Sequence, residues 1–241
     1  MKHIIALSGG KDSTAMALRL AEINPDIDYE YICTPTGDEL PEMHEHWQRL
    51  EAILQKPIKK ITNKSLYEWI EHFDALPNWR QRWCTRLLKI QPCLAYIKSF
   101  KQKPALYVGL RADEKERKGI YSENVKTIFP LREWGWDLQK VKDYLKEKCI
   151  KIPRRTDCSM CFYQKISEWY YLWRDNRDYW DKACSFEEKT GHTFFAANRY
   201  KWGSSLKELQ ENFEKGIVPY GATNQLQLFD MEQVSCRVCR L

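Results

Sequence analysis

Long apolar runs are missing from this sequence. No stretch of its 241 residues approaches the roughly 20 consecutive apolar residues that a membrane-spanning helix needs. The apolar segment after Met1-Lys2-His3 is also too short for the hydrophobic region of a secretory signal. We therefore expect a cytoplasmic protein that does not insert into a membrane.

A strong charge bias is missing as well. The net charge is +6, the charged fraction is 30% and the hydrophobic fraction is 43%, which is an ordinary globular balance. This weak basic excess is compatible with a polyanionic partner but does not require one. The nine cysteines are the unusual component. In a reducing compartment we expect them to be metal ligands, redox groups or core residues rather than disulfides.

The order of apolar segments predicts an α/β fold. The predicted strands are His3–Ser8, Tyr29–Thr34, Ile58–Thr62, Ala105–Arg111 and Lys126–Leu131. The predicted helices are Lys11–Glu22, Pro41–Leu54, Leu66–Phe73 and one that Asp137 caps. Their alternation predicts a five-stranded, Rossmann-like parallel sheet with helices on both faces.

The composition changes near Ile152-Pro153, where strand patterns end and cysteine and aromatic residues become frequent. We therefore predict a boundary at about residue 150. It separates an α/β domain of residues 1–150 from a smaller, mainly helical region of residues 151–241.

A glycine-rich turn joins the first predicted strand to the first predicted helix. Residues 8–14 read Ser-Gly-Gly-Lys-Asp-Ser-Thr. Two glycines let the backbone approach a ligand, and the N–H groups at a helix start favour an anion. Ser8, Ser13 and Thr14 add hydroxyl groups, and Lys11 adds a positive charge. The alternative is an ordinary glycine-containing turn. The loop is not GxxxxGK[ST], so chemistry at a γ-phosphate is not implied.

The segment Ser8–Ser13 resembles the PP-loop signature SGGKDS of the adenine-nucleotide α-hydrolase superfamily. The resemblance implies an ATP pyrophosphatase: the loop binds ATP with Mg²⁺, the α-phosphate is attacked and pyrophosphate leaves. It also implies that Asp12 is a partner of an ion or a water molecule.

Three further segments are similar to the phosphoadenosine phosphosulfate (PAPS) reductase family. They are Thr36–Glu42 (TGDELPE), Gly109–Arg117 (GLRADEKER) and Pro130–Tyr144, and the resemblance covers about residues 1–165. The first two follow predicted strands, where open α/β sheets bind ligands. The alternative for residues 111–117 is a solvated charged turn.

These resemblances imply a set of site residues. The expected nucleotide-binding residues are Ser8, Gly9, Gly10, Lys11, Asp12, Ser13, Thr14, Thr36, Gly37 and Gly109. The expected catalytic residues are Lys11, Asp12, Arg111 and Arg117, of which the two arginines can neutralise phosphate charge.

Cysteines occur in two CxxC pairs and as single residues. The pairs are Cys158/Cys161 and Cys236/Cys239, and Cys84 precedes a basic helix. A CxxC pair can present two thiolates to one metal centre, and nearby cations stabilise thiolates. Chance in a cysteine-rich chain is the alternative. The remaining cysteines are predicted to be buried core thiols: Cys33, Cys93, Cys149 and Cys184.

The cysteine arrangement resembles that of PAPS-reductase-like proteins of phages and of DNA modification systems, some of which bind a [4Fe–4S] cluster. The resemblance implies Cys84, Cys158 and Cys161 as ligands, with Cys236 or Cys239 as the fourth. Zinc is the alternative metal, and a mobile redox pair is the alternative role for the last two. True PAPS reductases end in a Glu-Cys-Gly-[Ile/Leu]-His motif, whereas this chain ends SCRVCRL.

A basic and aromatic stretch runs from Arg154 to Trp180. Such stretches can stack bases and follow phosphates, which makes it a candidate nucleic-acid surface. The alternative is a helix that buries Trp169, Leu172 and Trp173 against the sheet, and helical spacing favours that alternative for these three residues.

The leading hypothesis is an ATP pyrophosphatase that adenylates an acceptor oxygen for sulfur incorporation, as in DNA phosphorothioation. A cysteine desulfurase would be the sulfur donor, and DNA or another nucleic acid the acceptor. One alternative is a reductase of PAPS or adenylyl sulfate that releases sulfite. Others are a tRNA- or base-modifying PP-loop enzyme and a non-catalytic module that binds nucleic acid or senses a nucleotide.

Overall fold

The protein is described by a computed structural model, which covers residues 1–117, 125–195 and 202–222. The strands are β1 (His3–Ala6), β2 (Tyr29–Cys33), β3 (Ile58–Lys60), β4 (Ala105–Tyr107) and β5 (Lys126–Ile128). The helices are α1 (Lys11–Ile23), α2 (Pro41–Leu54), α3 (Leu66–Phe73), a π-helix (Thr85–Ile90), α4 (Gln91–Lys98), α5 (Pro130–Glu133), α6 (Leu138–Glu147), α7 (Ile166–Asp175), α8 (Arg177–Thr190) and α9 (Leu206–Glu214).

The five strands form one parallel sheet in the order β3-β2-β1-β4-β5. In the central strand, Ile4 pairs with Glu30 on one side and with Leu106 on the other. The order reverses between β1 and β4, so the loops after these strands flank a crevice at the carboxyl edge of the sheet. The predicted five-stranded parallel sheet is confirmed.

Helices cover both faces of this sheet, as predicted. Successive strand residues point to opposite faces, so Ile4 and Ile5 enter different cores, and both are fully buried. Residues of α1, α2 and α6 pack on the face of Ile5, and Ile97 of α4 packs on the face of Ile4.

The strands end earlier than their apolar patterns predicted. The first was expected to reach Ser8, but β1 ends at Ala6, and the others stop one to four residues early. The Leu7 N–H still donates to the Ile32 carbonyl at 2.8 Å, so pairing weakens gradually. Side chains remain buried beyond the last paired strand residue, where the backbone turns into a loop. An apolar sequence pattern indicates burial and not strand pairing, so it overestimates the length of a strand.

Local sequence signals explain where several helices begin. The Asp137 side chain accepts from the Lys140 N–H at 2.8 Å, which confirms the predicted N-cap of α6. Ser65 and Glu68 form a capping box at the start of α3. Such a cap stabilises a helix by about 1 kcal/mol.

Beyond residue 150 the described chain is mainly helical, as predicted, and has its own aromatic core. Trp169 and Leu172 of α7 are buried there and Trp173 is half-buried, so the helix of the alternative is confirmed. It packs in this aromatic core, however, and not against the sheet as that alternative stated. Leu66 and Ile70 of α3 join the same core. The boundary near residue 150 stays a prediction. Within the described ranges, no helix combines the length and apolar character that a bilayer span requires.

Candidate functional site

Hydrogen bonds within the loop between β1 and α1 stabilise its conformation. The hydroxyl oxygens of Ser8 and Ser13 lie 3.0 Å apart, and Ser13 Oγ donates to the Gly10 carbonyl at 3.1 Å. Gly10 is the N-cap of α1, and no side chain caps this helix. The first-turn N–H groups of a helix have no intrahelical partner, so this loop offers donors to an anion.

Helix α2 presses against the same loop. Gly9 has φ 89°, and a Cβ placed there would overlap the side chain of Met43 and crowd Trp47. The Trp47 indole N–H donates to the Ser8 carbonyl at 3.1 Å, and the His46 ring is hydrogen-bonded to the Gly9 backbone. Glycine is therefore required at position 9 both for its conformation and for space.

A buried ion network lies beneath the loop. Asp12 Oδ2 accepts from Lys11 Nζ at 3.2 Å and from Arg111 Nη1 at 3.0 Å, and Arg111 also holds Asp113 with two hydrogen bonds. Lys11 is 1% exposed, and this burial lowers its pKa. The solvated-turn alternative does not describe Arg111, which is 7% exposed.

Two buried oxygen atoms in this part of the site have no hydrogen-bond partner among the described residues. They are Asp12 Oδ1 and Thr14 Oγ1. A buried polar atom without a partner is costly, which suggests that a bound ligand satisfies it.

Gly109 connects the loop after β4 to α1. A Cβ at this position would lie 2.9 Å from the Ser13 nitrogen, a backbone atom that cannot move aside easily. Glycine therefore permits close contact between the two loops. Gly109 also lies in the wall of the cavity described next.

A cavity of about 260 Å³ opens at the carboxyl edge of the sheet. Its polar wall contains Ser8, Gly10, Asp12, Ser13, Glu39, Lys89, Arg117 and Thr156. Its apolar wall includes Ile32, Ile90, Leu94, Ile97, Leu106 and Val108. Cys33, Cys93 and Cys158 also line it. One cavity thus joins the phosphate loop, an apolar compartment and the CxxC segment.

Thr36 and Gly37 lie beside this cavity rather than in its wall. Glu39 accepts from the Thr36 N–H at 2.6 Å and from its hydroxyl at 2.7 Å, and it also accepts from the Gly37 N–H at 3.0 Å. Glu39 itself lines the cavity. Direct contact of Thr36 and Gly37 with a nucleotide stays a prediction.

Arg117 is held at the cavity wall by its own turn. Its Nη1 donates to Glu114 Oε1 at 2.6 Å. Arg132 Nη2 donates to the carbonyls of Glu114 and Arg117 at 2.7 and 2.6 Å, and these two hydrogen bonds hold the turn in place. Arg111 lies outside the wall, so the two arginines that sequence reasoning treated alike occupy different places.

The structure brings Cys84, Cys158 and Cys161 together. The Cys158 and Cys161 side chains are hydrogen-bonded, and this contact, with burial, raises the pKa of Cys158. Burial and the nearby Cys161 raise the pKa of Cys84 to about 11. Cys84 directly precedes the π-helix, an element that often marks functional sites. Cys236 and Cys239 lie outside the described residues.

Metal-binding geometry is not preformed in this cluster. In the part of the chain that the structure describes, no group of three or more His, Cys, Asp or Glu side chains is placed to hold a metal ion. The single cysteines vary in their burial. Cys33 is buried as predicted, whereas the prediction for Cys149 is wrong. Cys149 is exposed at φ 54° just after α6, because the chain leaves the helix there.

Comparison with known protein families shows to which family the chain belongs. The sequence model of the phosphoadenosine phosphosulfate reductase domain matches residues 2–154. The chain belongs to this family. The matched range contains the phosphate loop, the ion network and Cys84, and it ends just before Cys158.

One relative and two solved structures that are similar to this PAPS reductase domain protein share less than 30% sequence identity with it. An uncharacterized protein of Methanocaldococcus jannaschii is 27% identical over 168 residues, which are 65% of this chain and 40% of the relative. The chain thus spans about 40% of the length of that relative. Among solved structures, PAPS reductase from Candida auris, a phosphate complex, is 18% identical, with a TM-score of 0.49 over 63% of this chain and 75% of its own. The U34-tRNA thiolase NcsA from Methanococcus maripaludis, solved with its [4Fe–4S] cluster, is 16% identical, with a TM-score of 0.49 over 100% and 80%.

Three residues of this family member were missed as site residues by sequence reasoning: Asp38, Glu39 and Lys89. Asp38 holds the CxxC segment, Glu39 organises Thr36 and Gly37, and Lys89 lines the cavity. The first two stand inside the TGDELPE segment, so a signal existed, but their partners could not be read from it.

Proposed function

We propose that this PAPS reductase domain protein is an ATP pyrophosphatase that adenylates an acceptor oxygen for sulfur incorporation, in a DNA phosphorothioation system. One observation carries the proposal: residues of the phosphate loop and Cys158 line the same cavity. A phosphate-binding loop and a sulfur-bearing group that share one cavity suit a reaction in which both act on one intermediate.

The loop would bind the β- and γ-phosphates. The uncapped N-terminus of α1 supplies N–H donors and a favourable dipole, and Gly10 leaves room for a phosphate. Arg117 and Lys89 bring positive charge to the same wall. The apolar wall, with Ile97 and Leu106, would take the adenine.

Magnesium fits beside Asp12. Its Oδ1 is buried and without a partner among the described residues, and a carboxylate oxygen is a preferred ligand of this ion. Magnesium would neutralise charge on the phosphates. Asp12 is anchored through its other oxygen by Lys11 and Arg111, so its position is set before a ligand binds.

The proposed reaction has two displacements and one reduction. An oxygen of the acceptor, here a DNA phosphate, attacks the α-phosphorus; the bond to the bridging oxygen breaks and pyrophosphate leaves. The outer sulfur of a persulfide delivered by a cysteine desulfurase attacks the adenylated phosphorus next, and AMP leaves. A dithiol reductant then cleaves the resulting P–S–S bond, which releases the phosphorothioate and the desulfurase thiol and leaves the reductant as a disulfide. Arg117 would stabilise the charge that develops on the phosphate oxygens during the first step.

The cysteines are the proposed ligands of an iron-sulfur cluster, with zinc as the alternative metal. Three cysteines converge from two segments, beside Lys89, whose charge favours a thiolate at Cys84. Either an iron-sulfur cluster or a zinc ion would take these thiolates as ligands. A cluster would supply an iron atom that binds sulfur.

Product analysis tests the proposal. With ATP labelled at the α- or γ-phosphate, we expect AMP and pyrophosphate. Gly10→Ala should abolish this release, and Cys158→Ser should retain it but stop transfer of ³⁵S from cysteine and a desulfurase to DNA. ADP and orthophosphate as the sole products would contradict the proposal. Release of sulfite from PAPS in the presence of thioredoxin would support the reductase alternative instead of this proposal.

The cluster needs its own measurement. The anaerobically purified protein should show a broad absorption band in the blue and contain iron and sulfide, and Cys158→Ser should abolish both. Stoichiometric zinc without iron would favour the alternative metal.

A further inference from the structure

One segment of the chain carries positive charge without any acidic residue. Between residues 75 and 104 the sequence contains no Asp or Glu, and its cationic residues are Arg80, Arg82, Arg86, Lys89, Lys98, Lys101 and Lys103. The net charge of the whole chain is +6. The seven cationic residues of this segment therefore exceed the net charge of the entire protein.

Five of these residues form a basic surface: Arg80, Arg86, Lys98, Lys101 and Lys103. All five are exposed, and none forms an ion pair with a residue that the structure describes. Their charge is therefore presented to a partner rather than neutralised within the described chain.

An exposed aromatic residue accompanies the basic surface. Trp79 is 60% exposed, and the Arg80 guanidinium lies 4.7 Å from its ring centroid. An exposed indole next to arginine is the kind of platform on which an unpaired base stacks.

The other basic and aromatic stretch differs in this respect. Arg174 pairs with Asp175 at 2.6 Å, and Arg177 pairs with Asp181 at 3.1 Å. These carboxylates reduce the attraction of α7 and α8 for a polyanion. The structure thus favours the acid-free segment over the stretch that the sequence first suggested.

One end of the basic surface lies next to the proposed reaction site. Arg86 is in the π-helix that directly follows Cys84, whereas Lys101 and Lys103 precede β4 at the opposite edge of the sheet. The π-helix and α4 run from Thr85 to Lys98, about 20 Å at 1.5 Å per residue. Cys84 precedes them, and Ile90, Leu94 and Ile97 on the same helices line the cavity. A strand bound along these helices would pass the cavity and the cysteine cluster.

We propose that the basic surface with Trp79 binds the sugar-phosphate backbone of the nucleic acid that carries the acceptor oxygen, with an unpaired base stacked on Trp79. This inference rests on the proposed function for the identity of the acceptor. DNA and RNA share the required chemistry, so the binding experiment compares them.

The test measures binding of fluorescein-labelled single-stranded DNA to the full chain by anisotropy at several salt concentrations. The variant Arg80→Glu/Arg86→Glu should bind at least about tenfold more weakly, with a salt slope smaller by roughly 0.7 for each lost phosphate contact. Trp79→Ala should weaken binding by about tenfold and leave the salt slope unchanged. RNA and duplex DNA of the same sequence identify the preferred acceptor.

Matched controls make the outcome decisive. Arg174→Glu/Arg177→Glu changes charge equally at α7 and α8, and Tyr220→Ala removes a fully exposed aromatic residue elsewhere. Both should bind like the wild type. Equal loss in the arginine control, or wild-type binding by the Arg80/Arg86 variant, would overturn the inference. Displacement of the DNA by polyglutamate of equal charge would also overturn the inference, since the surface would then favour an acidic protein.

This experiment separates the two proposals. Nucleic-acid binding is measured by anisotropy in the absence of ATP. The ATP chemistry is measured by release of pyrophosphate, which is a separate readout. If the double charge variant unfolds, the single variants Arg86→Gln and Trp79→Ala, at exposed positions, give the same comparison. Unchanged binding by both would overturn the inference and leave the ATP chemistry standing.

Discussion

The Asp38 carboxylate accepts a hydrogen bond from Ser159 Oγ at 2.8 Å, across 121 positions of sequence. Its second oxygen accepts from the Met160 N–H at 3.1 Å, and the Tyr67 hydroxyl donates to the first. Ser159 and Met160 are the two residues between Cys158 and Cys161. One buried side chain from the loop after β2 therefore holds the CxxC segment beside the cavity.

Replacing Asp38 should loosen this segment. In Asp38→Asn an amide replaces one acceptor oxygen, so a buried donor of Ser159 or Met160 is left unsatisfied, at a cost of about 1–3 kcal/mol. We expect the alkylation rate of Cys158 by iodoacetamide, followed by peptide mass spectrometry, to rise about tenfold, the equivalent of 1.4 kcal/mol. Asp143→Asn, at an exposed position on α6, is the control. An unchanged rate would show that Asp38 does not hold the segment.

Two glycines of the site should respond differently to a methyl group. At Gly10 a Cβ would make only ordinary contacts, 3.6 Å from Ser8 Oγ, and φ is −68°. Gly10→Ala should therefore lower stability by no more than about 1 kcal/mol, yet weaken ATP binding because its Cβ enters the space of a phosphate. Thermal unfolding and calorimetric titration with ATP measure the two effects. Normal ATP affinity in this variant would place the phosphates elsewhere.

Gly109→Ala should affect stability first. Its Cβ would lie 2.9 Å from the Ser13 nitrogen, so the loop after β4 and α1 must separate. Overpacking of this kind costs about 1–3 kcal/mol. The midpoint of urea denaturation should fall, and ATP binding should weaken as α1 moves. A variant as stable as the wild type would mean that the two loops are less rigid than their contact indicates.

Local patterns explain why so much of the fold could be predicted. Strand runs, helix periodicity and the Asp137 cap each depend on residues close in sequence, and the glycine-rich turn depends on six consecutive residues. The π-helix could not be predicted, because such helices are rare and have no sequence signature of their own.

Site residues were harder to place because their partners are distant in sequence. Arg111 looked like part of a charged turn, and only the fold reveals Asp12 beside it. Thr36 looked available to a ligand, but Glu39, three residues later, accepts both of its donors. Sequence shows which groups can form hydrogen bonds, whereas the fold decides which of them are already satisfied.

Breaking the buried ion pair should destabilise the protein strongly. Arg111 and Asp12 are 9% and 14% exposed in their side chains. Arg111→Gln would leave the Asp12 charge with less compensation, at a cost of roughly 3 kcal/mol. The double variant Arg111→Gln/Asp12→Asn should recover part of this loss, and urea denaturation of all four proteins gives the coupling. Strictly additive effects would mean that the pair contributes nothing.

His46 should make stability depend on pH. Burial first, and the like charge of Arg49 second, lower the pKa of His46 from 6.5 to about 4, and its Nε2 is buried without a partner among the described residues. The folded state therefore disfavours the protonated ring, whereas the unfolded chain accepts the proton near its ordinary pKa. The stabilisation is thus present above pH 6.5 and is lost as the pH falls towards 4.

Between pH 7 and pH 5 this residue should lower the free energy of unfolding by about 2 kcal/mol. Urea denaturation at both values measures the difference, and His46→Gln, which cannot titrate, should lose most of it. His44→Gln is the matched control, since His44 is exposed on the same helix and should leave the difference unchanged. Equal pH dependence in wild type and His46→Gln would assign the effect to other groups.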